Sequence, residues 1–337
     1  MVIVAPPPKL SGLAIVGYNA AKYLESIGFN VQIEPLIHKL VFGGKARDPT
    51  LLISNYLGYD TIHYYRFVLD HFKTRSWIVF VEGYPRITEA DKQCAIKHVD
   101  HYIAPSQFVR EKLEEIGINV SEVIYPGIDP PGEAEVEKYA KVYRERWDSK
   151  IVLLYIAANY PRKAIHRLVE ASTKLRELTD RDFLVYIFTD NTRNLNVKPG
   201  DHLVVDLRFG SISKAELHGM IKACDVYVHP AYCEGLGIPL IEALWWGKPV
   251  ICVNAKPMNE IVTKDCGLLV DWYTVRKRDF RGIMWNTEYL YTTEALVNAL
   301  YKAVTDDKWR EKASKNARER GKRFHYTVSF KGLERYV

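Results

Sequence analysis

His229-Pro230-Ala231-Tyr232-Cys233-Glu234-Gly235-Leu236-Gly237-Ile238-Pro239-Leu240-Ile241-Glu242-Ala243-Leu244 is the stretch that decides the reading of this 337-residue chain. The residues before it, Asp225 to His229, have the length and apolar character of a buried strand. Pro239 stands where a helix begins, because its missing N–H costs nothing in a first turn. A strand, a loop and a helix therefore follow one another, with Glu234 at the carboxyl end of the strand. Gly235 and Gly237 let the backbone approach a ligand closely. The amides from Gly235 through Leu236 and Gly237 to Ile238 lie at the positive end of the helix dipole, a setting that favours a diphosphate. Glu234 can accept hydrogen bonds from sugar hydroxyls, and Glu242, read as lying in the first turn, can reach a ribose diol. The plainer reading makes both glutamates helix-end charges. The glycines and the flanking strands favour a ligand loop.

Outward from this stretch, strand-length apolar runs alternate with helix-period segments, the rhythm of parallel βαβ units. In the first half these are Val2–Ala5, a helix from about Leu13 to Ile27, Val31–Ile33, Ile78–Val81, a helix capped by Ser106, and Val123–Tyr125. Pro130 to about Lys150 opens with Pro-Pro-Gly and is highly charged, which marks a boundary. The rhythm then restarts with Ile151–Ala157, a helix from Ala164 to Leu178, Phe183–Phe188 and Leu203–Val205. A capping box follows at Ser213–Glu216, then Asp225–His229 and Pro249–Val253. The expected fold is α/β, two Rossmann-like domains with parallel sheets facing across a cleft. The expected spans are 1–135, 150–305, and a C-terminal helix (306–337) that returns to brace the first domain. In such sheets ligands bind beyond the carboxyl ends of the strands, so those loops carry the chemistry.

Composition narrows the class. A chain with 47% hydrophobic and 26% charged residues is globular. There is no apolar run of membrane-spanning length and no signal-peptide pattern at the start. The five cysteines, Cys94, Cys224, Cys233, Cys252 and Cys266, show no zinc or redox spacing, and a cytoplasmic setting is expected. The net charge of +6 is uneven: residues 1–130 hold 13 Lys+Arg against 14 Asp+Glu, while residues 308–323 hold eight basic and two acidic side chains. That basic helix reads first as a solvated face and second as a contact for phosphates at a membrane surface. Nothing resembles a nucleic-acid-binding pattern.

Asn159-Tyr160-Pro161-Arg162-Lys163 follows the first strand of the second half. Cations there would stabilise charge that develops on a leaving diphosphate. Pro8-Lys9-Leu10-Ser11-Gly12 joins the first strand to the first helix, with Gly12 allowing close approach. Val81-Glu82-Gly83-Tyr84-Pro85 ends a strand with a carboxylate. His63, His98 and His101 read as structural. Asp180-Arg181-Asp182 falls on a helix-to-strand turn away from the ligand end, so no metal is expected.

Glu234 and Glu242 enclose seven residues. The segment resembles the E-x7-E signature of retaining GT-B glycosyltransferases, specifically glycosyltransferase family four. Gly210-Ser211-Ile212-Ser213, Gly247-Lys248-Pro249-Val250-Ile251, and Glu260-Ile261-Val262 with Gly267-Leu268-Leu269-Val270 are similar to that family's flanking elements. The resemblance is dense over about residues 151–271 and thin in the first domain. It implies a nucleotide-sugar donor, an acceptor it does not name, retention of configuration and no cofactor. It assigns donor phosphates to Lys163, with Arg162 standing in for an arginine whose usual place is Ala158. It sets Glu82 where the family often has histidine. Two rival readings are a nucleotide-sugar epimerase on the same scaffold and an inactive nucleotide-sugar-binding module.

Overall fold

A computed structural model describes residues 1–5, 12–35, 50–55, 74–85, 87–148, 150–197, 200–280 and 284–337. The loop residues Pro8 to Ser11 and His63 fall outside them.

In the first half, strands β1 (Val2–Ala5), β2 (Gln32–Pro35), β3 (Leu51–Asn55), β4 (Thr74–Phe80), β6 (Val99–Ala104) and β7 (Glu122–Val123) form one sheet in the order β2-β1-β3-β4-β6-β7. Every neighbouring pair is parallel. Helix α1 (Gly12–Ser26) buries Leu13, Val16, Ala20 and Leu24 at the spacing of one helical face. Helices α2 (Glu89–His98) and α3 (Gln107–Glu115) complete the described helices of this half. Strand β7 is shorter than the run Val123–Tyr125 suggested. Tyr125 leaves the sheet and sends its hydroxyl to Glu260 instead, at 2.7 Å.

Helix α4 (Glu133–Arg146) occupies the charged stretch after Pro130. It packs on the second half: the Tyr143 ring packs at a tilt against Trp147, which packs at a tilt against Tyr186, and Lys222 pairs with Glu133 and Glu137. A Cβ on Gly219 would lie 2.4 Å from that of Tyr139, so the two helices meet almost backbone to backbone.

The second sheet comprises β8 (Ile151–Ile156), β9 (Phe183–Phe188), β10 (Leu203–Asp206), β11 (Val226–His229), β12 (Val250–Val253) and β13 (Gly267–Val270), ordered β10-β9-β8-β11-β12-β13 and parallel throughout. Counted from β8 this is the 3-2-1-4-5-6 order of dinucleotide-binding sheets, with its crevice between β8 and β11. Around it lie α5 (Ile165–Leu178), α6 (Lys214–Ala223), α7 (Ile238–Trp245) and the single turn α8 (Met258–Ile261). At the capping box, Ser213 accepts from the Glu216 amide at 3.0 Å, but the Glu216 carboxylate turns to Tyr143 and Arg208.

A hairpin that periodicity did not reveal leaves this domain. Strands β14 (Thr274–Phe280) and β15 (Met284–Leu290) are antiparallel, and β15 pairs with β5 (Gly83–Pro85) of the first domain in the order β14-β15-β5. This small sheet joins the two domains. After α9 (Thr293–Thr305), helix α10 (Asp307–Lys322) packs along α7 of the second domain, not on the first. Its Arg318 and Arg320 donate to the carbonyls of Trp245, Glu260 and Ile261, which ties part of the basic face to the fold. What returns to the first domain is the segment beyond it, including α11 (Tyr326–Ser329). Ile128 exchanges backbone hydrogen bonds with Phe324 and Tyr326, Tyr23 donates to Glu334, and Ser76 donates to the Tyr336 carbonyl. No helix of the described residues is long and apolar enough to cross a membrane.

Candidate active site

Strand β11 is buried along its whole length and delivers His229 to the carboxyl edge of the second sheet. Five residues on, Glu234 turns back beneath the strand end, where His229 Nε2 lies 2.9 Å from its Oε1. Burial lowers the imidazole pKa, with the neighbouring Glu234 only partly opposing it. A neutral ring donates from Nε2, which leaves Nδ1 bare, and no partner faces it. The sequence pattern alone assigns His229 no role. The signal available was its place as the last strand residue before the loop.

Lys163 and Arg162 enter from the 3-10 turn Pro161–Lys163 after β8. Ala164 follows at φ 51°, a left-handed conformation that sharpens the turn into α5. Lys163 pairs with Glu234 Oε1, and Arg162 Nη1 reaches Glu234 Oε2 at 3.4 Å. Burial alone would raise the Glu234 carboxyl. Lys163 and Arg162 outweigh it and hold the pKa well below the usual carboxylate range, so the group is anionic. Arg162 also binds Glu82 Oε1 through Nη2 at 2.7 Å. The Glu82 pKa moves the other way: burial raises it, Arg162 partly offsets this, and Glu234 adds to the rise. One guanidinium thus joins a carboxylate from each domain.

The backbone explains how Glu82 arrives there. Its carbonyl accepts from the Thr287 amide of β15 at 3.0 Å. A Cβ on Gly83 would stand 1.9 Å from the Trp285 carbonyl oxygen, so only glycine admits this crossing. On the far side of the loop, Tyr289 N donates to Tyr232 O at 2.9 Å. Strand β15 therefore holds both carboxylate-bearing loops.

The glycine loop packs directly on the first domain. Ser106 donates to the Gly235 carbonyl at 3.1 Å, and a Cβ on Gly235 would sit 3.0 Å from the Val81 carbonyl. Gly237 has φ +96° and precedes α7. Leu236 is buried beside it. Ile238 meets Gly12: a Cβ there would lie 3.2 Å from the Ile238 δ-methyl. The start of α1 thus lies against the first residue of α7, whose N-terminal amides have no partner within the helix. Cys233 is fully buried, which pushes its thiol well above its usual range, so it is packing and not a nucleophile.

Glu242 is not in the first turn of α7. It is the fifth helical residue, buried, with His218 Nε2 3.4 Å from its Oε1. His218 in turn accepts from Trp246 Nε1 at 2.8 Å through Nδ1, which fixes the tautomer that points N–H toward Glu242. Neither His218 nor Trp246 was foreseen. The structure thus brings Glu234, Lys163, Arg162, Glu82 and the Gly235–Ile238 amides into one region with Gly12, and sets Glu242 one helical turn behind. Asp180-Arg181-Asp182 lies between α5 and β9, where Asp182 pairs with Lys150 and Arg181 with Asp307. Among the described residues no group of three or more metal-ligating side chains converges.

Residues 140–277 match the family model described as glycosyl transferases group 1. The O-antigen chain mannosyltransferase B of Escherichia coli is 25% identical over 202 residues, 58% of this chain and 48% of that protein. The lipopolysaccharide glucosyltransferase WaaG of Escherichia coli K12 is 27% identical over 162 residues, 44% of this chain and 42% of that protein. The matched segments thus span about half the length of these relatives. Among solved structures, Anabaena Alr3699/HepE in complex with UDP and glucose superposes with a TM-score of 0.67 at 13% identity, covering 99% of this chain and 98% of that one. That likeness shows the fold, two Rossmann-like sheets in the GT-B arrangement. Residues 140–277 thus resemble a group 1 glycosyl transferase domain, set within a chain whose whole fold is that of the GT-B structures.

Proposed function

We propose that the chain transfers a sugar from a nucleoside-diphosphate sugar to an acceptor hydroxyl, with retention of configuration and no metal. One observation carries this reading. Arg162 and Lys163 converge on Glu234, beside the glycine loop that opens α7. Breaking the bond between the anomeric carbon and the diphosphate oxygen builds negative charge on the leaving group. Two fixed cations and a set of free amides stabilise that charge without reorganising. Glu234 stays ionised and serves as a hydrogen-bond acceptor that orients the sugar, not as an acid. Glu242, steadied by His218, takes the ribose hydroxyls. With the carboxylates engaged by cations, substitution on the front face is the consistent path, and the leaving phosphate oxygen takes the acceptor proton.

The test is a panel of nucleoside-diphosphate sugars, with UDP-glucose first because the Anabaena structure holds UDP and glucose. Nucleoside diphosphate release is followed for the parent chain, Glu234→Ala and Lys163→Ala. Each variant should lose roughly 10²–10³-fold in turnover. Release that survives both changes would sink the assignment. A changed sugar without nucleoside diphosphate release would make the chain an epimerase.

A further inference from the structure

The β14–β15 hairpin walls the candidate site, since β15 bonds to both the Glu82 and the Tyr232 backbones. Its outer strand is solvent-exposed and carries Arg276, Lys277 and Arg278 in succession. Alternation puts Arg276 and Arg278 on one face and Lys277 on the other, where Lys277 lies 4.2 Å over the Tyr84 ring. Beneath the two arginines is Glu288, directly opposite Arg276 in register and 0% exposed, while the arginine side chains are 48% and 45% exposed. Arg276 binds Glu288 Oε2 through Nη2 at 2.5 Å and Nε at 2.9 Å. Arg278 Nη1 stands 3.6 Å from the other oxygen.

A carboxylate is buried only when charge compensates it. Here it anchors one guanidinium by a fork and leaves the second loosely held. Among the described residues, Arg276, Arg278 and Glu288 together carry a net positive charge, on groups whose planar donors match phosphate oxygens. The His166 imidazole is lowered first by desolvation and then by Arg167, partly offset by Glu170, with Arg278 and Arg276 adding to the effect.

We propose that Arg276 and Arg278, organised by buried Glu288, form an acceptor subsite that selects a phosphate-bearing acceptor. This rests on the glycosyltransferase reading and adds the acceptor's chemical class to it.

The experiment uses the full chain with its donor site filled by the nucleoside diphosphate that binds it best. Calorimetry then compares glucose, glucose 6-phosphate and inorganic phosphate. Removing both arginines alone would strand Glu288 in the interior, so the variant is Arg276→Ala/Arg278→Ala/Glu288→Gln, checked by thermal melting. Glucose 6-phosphate should bind at least about ten-fold tighter than glucose, as a charge-assisted pair predicts. The triple variant should abolish that preference while still binding nucleoside diphosphate. Equal or undetectable binding of the two sugars, or a preference that survives in the variant, would overturn the proposal. So would recruitment of the chain by phosphatidylglycerol vesicles through the same arginines with no response to glucose 6-phosphate. That result would make the face a membrane contact. Failure of the parent glycosyltransferase reading shows separately, as no nucleoside diphosphate binding in parent or variant.

Discussion

The two sheets follow nearly the same plan, six parallel strands each, yet they contribute to the site in different currencies. The second domain supplies charged side chains: Arg162, Lys163 and Glu234, with His229 and His218 behind them. The first supplies mainly backbone. The Val81 carbonyl, the Gly83 crossing and the start of α1 at Gly12 are all main-chain features, and Glu82 and Ser106 are the side chains that accompany them. The difference teaches that one half can be read from residue types while the other is read from the absence of side chains.

The sharpest way to break that contrast is Gly83→Ala. The added methyl would meet the Trp285 carbonyl at 1.9 Å and the Thr287 amide nitrogen at 2.7 Å, and backbone in a paired strand cannot yield as a flexible side chain does. Strands β5 and β15 must separate, and the strain should remove ~1–3 kcal/mol of stability in a denaturant titration. Under the proposed function turnover should fall at least about ten-fold, while nucleoside diphosphate binding, assigned there to second-domain side chains, stays within about two-fold, less than 1 kcal/mol. Turnover equal to the parent would mean that the first domain's backbone does not position the site.

A smaller effect sharpens the comparison, because the carboxylates that share Arg162 titrate in opposite directions. Glu234 has a depressed folded-state pKa. Its stabilising contribution is therefore present above the unfolded value of about 4.3 and is lost as pH falls through the lower folded value. Glu82 has a raised one, so the folded state holds its proton more tightly, and its contribution declines as pH rises from about 4.3 through the higher folded value. Melting curves across pH 3 to 8 should show Glu234→Gln falling further below the parent as pH rises through the acid range. Glu82→Gln should gain on the parent as pH rises above that range. Parallel pH profiles for the two variants would contradict the assigned environments.

The same division explains what could be read in advance. Strands β8, β9, β11 and β12 are buried on both faces, so continuous apolar runs betray them. The loop at Glu234 announces itself because glycine and proline at a strand-to-helix junction are informative. The hairpin stayed hidden because Thr274 to Asp279 are all exposed and carry no apolar alternation, and β15 buries Asn286, Thr287 and Glu288 where apolar residues would be expected. The sequence of helix α4 reads as a boundary stretch because only Val136, Ala140 and Tyr143 of its fourteen residues are buried. The spacing alone does not give the depth of Glu242, because helix onset depends on Gly237, whose positive φ places the start at Ile238.

The mildest test concerns how the first domain holds the glycine loop. Ser106 works in two directions: its oxygen accepts from the Val109 amide at 3.2 Å as the cap of α3, and its hydroxyl donates to the Gly235 carbonyl across the domain boundary. The α3 N-terminus has a second cap from the other domain. Glu260 accepts from the Gln107 amide at 2.8 Å and the Phe108 amide at 2.9 Å, while Tyr125 and Arg320 hold its carboxylate and carbonyl in place. With two of the free amides still satisfied, Ser106→Ala should cost only ~0.5–1 kcal/mol in a thermal or urea titration, the low end for losing a cap. Glu260→Gln weakens a charged cap on two amides and should cost at least as much. Additive losses in the double variant would mean that the two caps act independently, whereas a larger combined loss would show that α3 and the glycine loop come apart together, as expected if closure of the domains is what completes the site.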